Sequence, residues 1–223
     1  KNFNDEKEVN KFLTNYRKKF KTYVEEAIDL AKQIENDNQI LDKLDTNINL
    51  VSPVEEQFES DVRELEINMH NDIIANKKVV LFGSSTFKYW EKAKQDLSIN
   101  NLLNLGFGGS TLVACRAYFY RVVVPQNPNT IFFYAGDNDI GGGMSSDELY
   151  NEFLLFTSEI QEKLPHARCY FVSIKPSVFR ESYMDIILDA NEKIKKAIEH
   201  LSQWKYIDLC SPMLEAGFEK FYD

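Results

Sequence analysis

Five short apolar runs alternate with longer amphipathic stretches from residue 79 onward, and this alternation is the feature that most constrains the fold. The runs predict strands at 79–82, 101–105, 130–134, 169–174 and 205–207, with helices between them at 85–95, 111–123, 146–164 and 183–202. Strands separated by crossover helices pair in parallel, and helices then cover both faces of the sheet. The sequence therefore predicts an α/β fold, a three-layer α/β/α sandwich with a five-stranded parallel sheet.

The first quarter of the chain has a different pattern. Between residues 9 and 34 the apolar residues recur in alternating steps of four and three, which is typical of a helix. We therefore expect a helical extension over 1–52, followed by the α/β domain over 53–223. The extension either binds a partner or a second copy of the chain, or packs on its own domain, and the sequence leaves both hypotheses open. Ser52 and Pro53 form an N-cap and N1 pair that predicts a further helix before the first strand.

The charge and the cysteines exclude several classes of function. The net charge of -9 and the pI near 5.0 argue against nucleic-acid binding, which relies on clustered Lys and Arg. No apolar run approaches the roughly 20 residues of a transmembrane helix, so no membrane span is expected. Cys115, Cys169 and Cys210 lie far apart, and we expect buried free thiols. The location stays open between the cytoplasm and secretion, because a signal segment missing from the sequence would leave no trace in it.

Glycines and small polar residues follow most of the predicted strands. The first four strands lead into GSST, NLGFGGST, YAGDNDIGGG and SIKPSVFR. In open parallel sheets, ligands bind beyond the carboxyl ends of the strands, which is where these segments lie. Glycines such as Gly106, Gly108 and Gly109 let the backbone approach a ligand closely and point N–H groups at it. This edge of the sheet is therefore the predicted site.

Two common motifs are absent from these segments. The G-F-G-G cluster lacks the third glycine of the dinucleotide fingerprint, and no phosphate-binding G-x-x-x-x-G-K-[ST] occurs in the chain. The serine segment is not a G-x-S-x-G nucleophile elbow either, because Phe87 stands where the second glycine belongs. A serine after the first strand, in a more open turn, points to a different kind of hydrolase.

Three segments together resemble the SGNH hydrolases, the superfamily of GDSL lipases and esterases. Gly83-Ser84-Ser85 resembles the first block of that family, residues 104–111 resemble the second, and Gly136-Asp137-Asn138-Asp139 is similar to the G-x-N-D of the third. The segment SIKPSVFR also resembles the fourth region of one bacterial branch. The three blocks occur in the family's order and spacing, and the resemblance covers the chain from about residue 77 onward. It implies the flavodoxin-like SGNH fold.

The resemblance implies a serine esterase or acylhydrolase that forms an acyl-enzyme. Ser85 would be the nucleophile, as the third residue of the first block, and Ser84 replaces that block's usual Asp. The backbone N–H groups of Ser85 and Gly109 and the amide of Asn138 would form the oxyanion hole. Asp139 would hold the loop. The implied substrate is a small ester, a lipid or an acylated carbohydrate, and neither a metal nor another cofactor is implied.

The general base is the missing part of this pattern. The family supplies it from a D-x-x-H block near the C-terminus, and His70, His166 and His200 lie in no such block. We expect the Asp and His at or beyond Asp223. The alternative is a non-catalytic binding module that has the fold but lacks the histidine.

Substrate contacts are less constrained by the sequence. Phe87, Trp90, Phe107 and Phe179 either line an acyl or sugar pocket or belong to the core. Arg180 either binds a negatively charged group of the substrate or forms a surface ion pair.

Overall fold

Five parallel strands form the centre of the computed structural model, which describes residues 53–71 and 78–217. The strands are β1 (Val79–Gly83), β2 (Leu102–Gly106), β3 (Thr130–Tyr134), β4 (Arg168–Val172) and β5 (Trp204–Ile207). Their order in the sheet is β2-β1-β3-β4-β5, and each neighbouring pair is parallel. The predicted strands are confirmed to within two residues at each end. The predicted extension over 1–52 lies outside the described residues.

Eight helices are described around this sheet. They are α1 (Pro53–Asn71), α2 (Ser85–Lys88), α3 (Ala93–Asp96), α4 (Leu112–Val122), α5 (Asp137–Gly141), α6 (Ser146–Lys163), α7 (Met184–Ile198) and α8 (Cys210–Ala216), with 3-10 turns at Val124–Gln126 and Val178–Tyr183. The sequence predicted α4, α6 and α7 closely. It did not predict the short helices α5 and α8, which lie directly beyond the ends of β3 and β5.

The strand order determines which face each helix covers. From β1 the chain runs to β2, at one edge of the sheet, and then crosses back over β1 to β3, β4 and β5. Because crossovers between parallel strands are right-handed, the β1–β2 connection covers one face of the sheet and the later connections cover the other. Accordingly, Phe82 and Phe133 pack in one core with Phe156 of α6, whereas Leu81 and Tyr134 pack in a second core with Phe87 of α2. Helices on both faces confirm the predicted three-layer α/β/α sandwich.

The predicted helix over 85–95 is wrong in one respect, because the structure breaks it into α2 and α3. The carbonyl of Phe87 accepts the N–H of Trp90 at 2.9 Å and the side-chain Nδ2 of Asn104 at 2.6 Å. In a continuous helix the Phe87 carbonyl would accept a backbone N–H of the helix itself. Here the side chain of Asn104, on the neighbouring strand β2, provides that donor. This contact lies 17 residues away in the chain, so helical periodicity could not predict it.

Helix α1, the helix predicted before the first strand, packs on the sheet and its helices. Phe58 and Val62 are buried in the larger core, and the Phe58 ring meets the Phe107 ring edge-on at 5.4 Å between centroids. Arg121 of α4 forms ion pairs with Glu59 at 2.7 Å and Glu66 at 2.9 Å. None of the helices in 53–71 and 78–217 combines the length and apolarity needed to cross a membrane.

Candidate active site

The three sequence blocks meet at the carboxyl end of β1. Gly83, the last residue of β1, is in register with Gly106 of β2 and Tyr134 of β3. Beyond it, the N–H of Ser84 donates to the Tyr134 carbonyl at 3.0 Å, and the N–H of Phe107 donates to the Gly83 carbonyl at 2.9 Å. This is the point where the strand order reverses, which is the usual ligand site of such sheets.

Gly83 allows the chain to turn out of β1 at this point. Its φ of +143° is a conformation that L side chains rarely adopt. A Cβ there would also overlap the carbonyl of Tyr134, with the carbonyl carbon only 2.8 Å away. The glycine of the first block is therefore required both by the backbone conformation and by the close approach of β3.

Only one of the three consecutive hydroxyls is both reachable and without an assigned partner. Ser84 is fully buried, and its Oγ has no hydrogen-bond partner among the residues that the structure describes. The Thr86 hydroxyl interacts with the Tyr134 phenol and partly opposes the rise in the pKa of that phenol. Ser85, the first residue of α2, is half-buried. The structure thus separates the serines, with Ser84 facing the interior and Ser85 at the surface of the site.

The glycine loop after β2 leaves open space beside one residue. Gly109 has a φ of +74° and is exposed, and a Cβ built on it would meet no atom of the described part of the chain within 4 Å. By contrast, a Cβ on Gly106 would lie 2.6 Å from the backbone nitrogen of Lys88. Of the three glycines that the sequence singled out, Gly109 is the one next to unoccupied space, and Gly106 is instead required by the packing of α2.

Asp61 of α1 connects the glycine loop after β2 to α2, the helix that begins at Ser85. Its Oδ2 accepts the N–H of Gly108 at 3.3 Å and lies 2.8 Å from Nζ of Lys88, at the end of α2. The contacts span 47 and 27 residues of chain. Sequence reasoning missed Asp61, because it lies outside the region of the family resemblance and no local pattern marks it.

The amide of Asn138 is held at both ends. Its Nδ2 donates to the carbonyl of Ser110 at 3.0 Å, and its Oδ1 accepts Nη2 of Arg180 at 3.1 Å. Its backbone N–H donates to the Asp137 carboxylate at 3.0 Å. Since Ser110 follows Gly109 directly, the first of these bonds ties the third block to the second.

Asp139 makes a second connection between the same two segments. Both of its carboxylate oxygens accept the N–H of Leu112, at 2.9 and 3.0 Å, at the start of α4. Burial raises the pKa of Asp139 to about 7, although the bond from the Leu112 N–H opposes the shift. The bonds are those expected of a residue that holds the loop.

Tyr134, which is buried, and Asp137, which is half-buried, form a hydrogen-bonded pair beside Asn138. The Tyr134 phenol donates to Oδ2 of Asp137 at 3.2 Å. Burial is the main cause of the raised pKa of both groups, and the nearby cations Lys175 and Arg180 partly oppose it for Asp137. Arg180 therefore neutralises part of the negative charge in this corner of the site.

The four candidate pocket aromatics differ in burial. Phe87 and Phe107 belong to the core, and Trp90 is half-buried with its indole N–H on Asp96 at 2.6 Å. Phe179 is 71% exposed, and the Arg180 guanidinium lies 4.9 Å from its ring centroid. Phe179 is thus the most exposed of the four rings, and Phe87 and Phe107 are not available to a ligand.

A second exposed ring lies beside the glycine loop and was not predicted. Tyr89 is 73% exposed, and its phenol oxygen would lie 3.8 Å from a Cβ on Gly108.

The described histidines lie away from this site. His166 immediately precedes β4 and His200 precedes β5, so both lie at the amino ends of the strands, opposite Ser85. The side chain of His70 is outside the described residues. The three cysteines are buried free thiols, as predicted, and burial raises the pKa of Cys169 to about 12. Within the described part of the chain, no three His, Cys, Asp or Glu side chains group as a metal site.

Comparison with solved structures identifies the fold. A GDSL-like lipase from Bacteroides thetaiotaomicron VPI-5482 superposes with a TM-score of 0.58 at 18% identity, covering 68% of this chain and 79% of that one. An acetyl xylan esterase gives 0.53 at 19% identity, covering 63% and 81%. A G-D-S-L family lipolytic protein from Veillonella parvula DSM 2008 gives 0.52 at 19%, again covering 63% and 81%.

These likenesses show that the chain has the SGNH hydrolase fold, as its motifs predicted. No family model matches the sequence, and no curated protein matches it either.

Proposed function

We propose that the protein is a serine ester hydrolase with Ser85 as its nucleophile. The observation that supports the proposal is that Ser85, Gly109 and Asn138 follow the carboxyl ends of three neighbouring strands, where the strand order reverses, and that the Asn138 amide is bonded to the residue after Gly109. A nucleophile, a backbone N–H beside open space and a fixed amide donor are the parts that acyl transfer needs.

The reaction has two steps. The Ser85 oxygen bonds to the ester carbonyl carbon and loses its proton to a base, and the tetrahedral intermediate expels the alcohol, which takes up a proton. Water then adds to the acyl-enzyme, and the carboxylic acid leaves as Ser85 regains its proton.

In each step the carbonyl oxygen carries a developing negative charge. We assign its stabilisation to the N–H groups of Ser85 and Gly109 and to the amide of Asn138, since donors fixed before the reaction need no reorganisation. An Asn amide has two N–H bonds, and the bond to Ser110 uses one of them. The other remains for the substrate, and such a donor contributes roughly 3 kcal/mol to transition-state stabilisation.

A serine hydroxyl needs a general base, usually a histidine oriented by a carboxylate. His166 and His200 lie at the opposite edge of the sheet, so we propose that the base comes from outside the described residues.

For the substrate we propose a small acyl ester of a lipid or of a carbohydrate. The similar solved proteins include a lipase and an acetyl xylan esterase. The exposed rings of Tyr89 and Phe179 are apolar surfaces that an acyl chain or a sugar ring could contact.

The two adjacent serines provide a matched test of the nucleophile. Full-length protein should hydrolyse p-nitrophenyl acetate. Ser85→Ala should reduce kcat by roughly a thousandfold or more, which is the effect expected when a catalytic nucleophile is removed. Ser84→Ala removes a buried hydroxyl that has no hydrogen-bond partner within 53–71 and 78–217, and the variant should retain activity within about threefold.

The opposite pattern, with activity lost in Ser84→Ala and kept in Ser85→Ala, would contradict the assignment. A folded but inactive wild-type protein would favour the non-catalytic binding module.

A further inference from the structure

Arg180, the last residue of the SIKPSVFR segment, contacts Asn138, a candidate residue of the oxyanion hole. The interpretations that the sequence left open were an anion-binding residue or a surface ion pair. In the structure its guanidinium contacts an amide, because Nη2 of Arg180 donates to Oδ1 of Asn138 at 3.1 Å. The two residues are 42 positions apart in the chain. On the basis of the proposed function, we propose that Arg180 is a positioning residue that locks the Asn138 amide so that the N–H not donated to Ser110 faces the oxyanion.

The argument rests first on which atoms can donate. A guanidinium has only N–H donors and no acceptor, and the Ser110 carbonyl can only accept. The observed orientation of Asn138 therefore satisfies both neighbours, with Oδ1 toward Arg180 and Nδ2 toward Ser110. Rotating the amide by 180° would place its NH₂ group against a guanidinium and its oxygen against a carbonyl. Both contacts would be repulsive, so the pair of neighbours specifies one orientation.

The second argument is that the fold leaves room for this contact. A Cβ on Gly141 would overlap the guanidinium, with Nη2 only 2.8 Å away. Gly141 lies in helix α5 and its φ is not in the left-handed region, so its conformation does not require glycine. Glycine in a helix costs roughly 1 kcal/mol relative to alanine. The guanidinium of Arg180 occupies the space that a side chain at position 141 would fill. This contact explains why residue 141 is a glycine although its backbone conformation does not require one.

The third argument concerns charge. A bond from an ionised donor is stronger than one between neutral groups. Donation into Oδ1 also draws electron density from the amide, which makes its N–H groups better donors. The guanidinium therefore both orients Asn138 and strengthens the bond that Asn138 makes to the oxyanion.

The test compares kcat and KM of the full-length protein with two esters. One is p-nitrophenyl acetate, which is neutral, and the other is its hemisuccinate counterpart, which carries a carboxylate. Arg180→Met should lower kcat about tenfold or more on both esters and leave KM within about twofold, because a misoriented oxyanion donor affects the transition state. Arg180→Lys, which keeps one charged donor, should recover part of the loss. Arg168→Met, the same change at an exposed arginine at the opposite edge, should alter neither constant.

Gly141→Ala provides an independent perturbation of the same contact. The added methyl group displaces the guanidinium and should cause a similar fall in kcat. Combined with Arg180→Met, it should cause no further loss beyond about twofold, since the contact is already gone and a methionine side chain can move aside. The double variant remains informative where Gly141→Ala alone unfolds, and thermal unfolding is measured for every variant.

Four outcomes would overturn the inference. A rise in KM confined to the anionic ester would make Arg180 a substrate-binding residue. Multiplying losses in the double variant would show that the two residues act separately. An active wild type with an unaffected Arg180→Met would refute the positioning role and leave the proposed function standing, whereas an inactive wild type would refute both.

Discussion

Replacing Asp139 with asparagine should change the pH dependence of stability in a direction that the structure dictates. Asp139 is 4% exposed, and burial raises the pKa of its carboxyl group from 3.8 to about 7. Asparagine retains an oxygen that can accept the Leu112 N–H, but it carries no ionisable proton. The substitution therefore removes the titration while keeping one of the two contacts.

The sign follows from the proton balance. Below pH 3.8 the carboxyl is protonated in both the folded and the unfolded chain. Between pH 4 and 7 the unfolded chain has released this proton and the folded chain retains it, so the free energy of unfolding falls as the pH rises. With a pKa of 3.8 in the unfolded chain and about 7 in the folded one, the loss reaches about 4 kcal/mol above pH 7.

Urea unfolding followed by tryptophan fluorescence from pH 4 to 8 measures this effect. The stability of Asp139→Asn relative to wild type should rise by about 4 kcal/mol across that range. Asp208→Asn is the matched control, because hydrogen bonds from the Ser211 backbone lower the pKa of Asp208 and its contribution has the opposite sign. Parallel profiles for wild type and Asp139→Asn would refute the assignment of a protonated Asp139 below pH 7.

Three further changes test the geometry of the site. Gly83→Ala should destabilise the fold by about 3 kcal/mol or more in urea unfolding, because its Cβ overlaps the Tyr134 carbonyl, and unchanged stability would contradict that packing. Asp61→Asn should lower kcat roughly five- to tenfold with little change in KM. Glu64→Gln, exposed on the same helix, should have no effect, and equal effects of the two variants would exclude a specific role for Asp61. Phe179→Ala should raise KM severalfold for longer acyl esters and shift stability by less than about 0.5 kcal/mol, and an unchanged KM would remove the ring from the substrate site.

The sheet could be predicted from the sequence because its determinants are local. The apolar run at β3 is bounded by turn residues, and β3 starts and ends at the predicted residues. The alternation with helices then restricts the topology to parallel pairing. Local patterning also located Ser85, Gly109 and Asn138 near strand ends, since the carboxyl ends of parallel strands share one edge.

What the sequence did not predict depends on contacts between distant residues. The break between α2 and α3 requires the amide of Asn104, and the tie from α1 requires Asp61. The burial of Ser84 was not predicted either. Ser84 and Ser85 are adjacent in the chain, and only the folded structure shows that the Ser84 hydroxyl is buried and Ser85 is accessible. Arg180 is the clearest case, since neither interpretation from sequence included an amide as its partner.

The central claim is that Ser85 is the nucleophile, and the most direct measurement is the site of covalent labelling. Full-length protein treated with a fluorophosphonate probe should carry the phosphonyl group on Ser85, as located by peptide mass spectrometry, and Ser84→Ala should be labelled at the same position. An adduct on Ser84, or a folded protein that hydrolyses esters with no adduct on Ser85, would contradict the account.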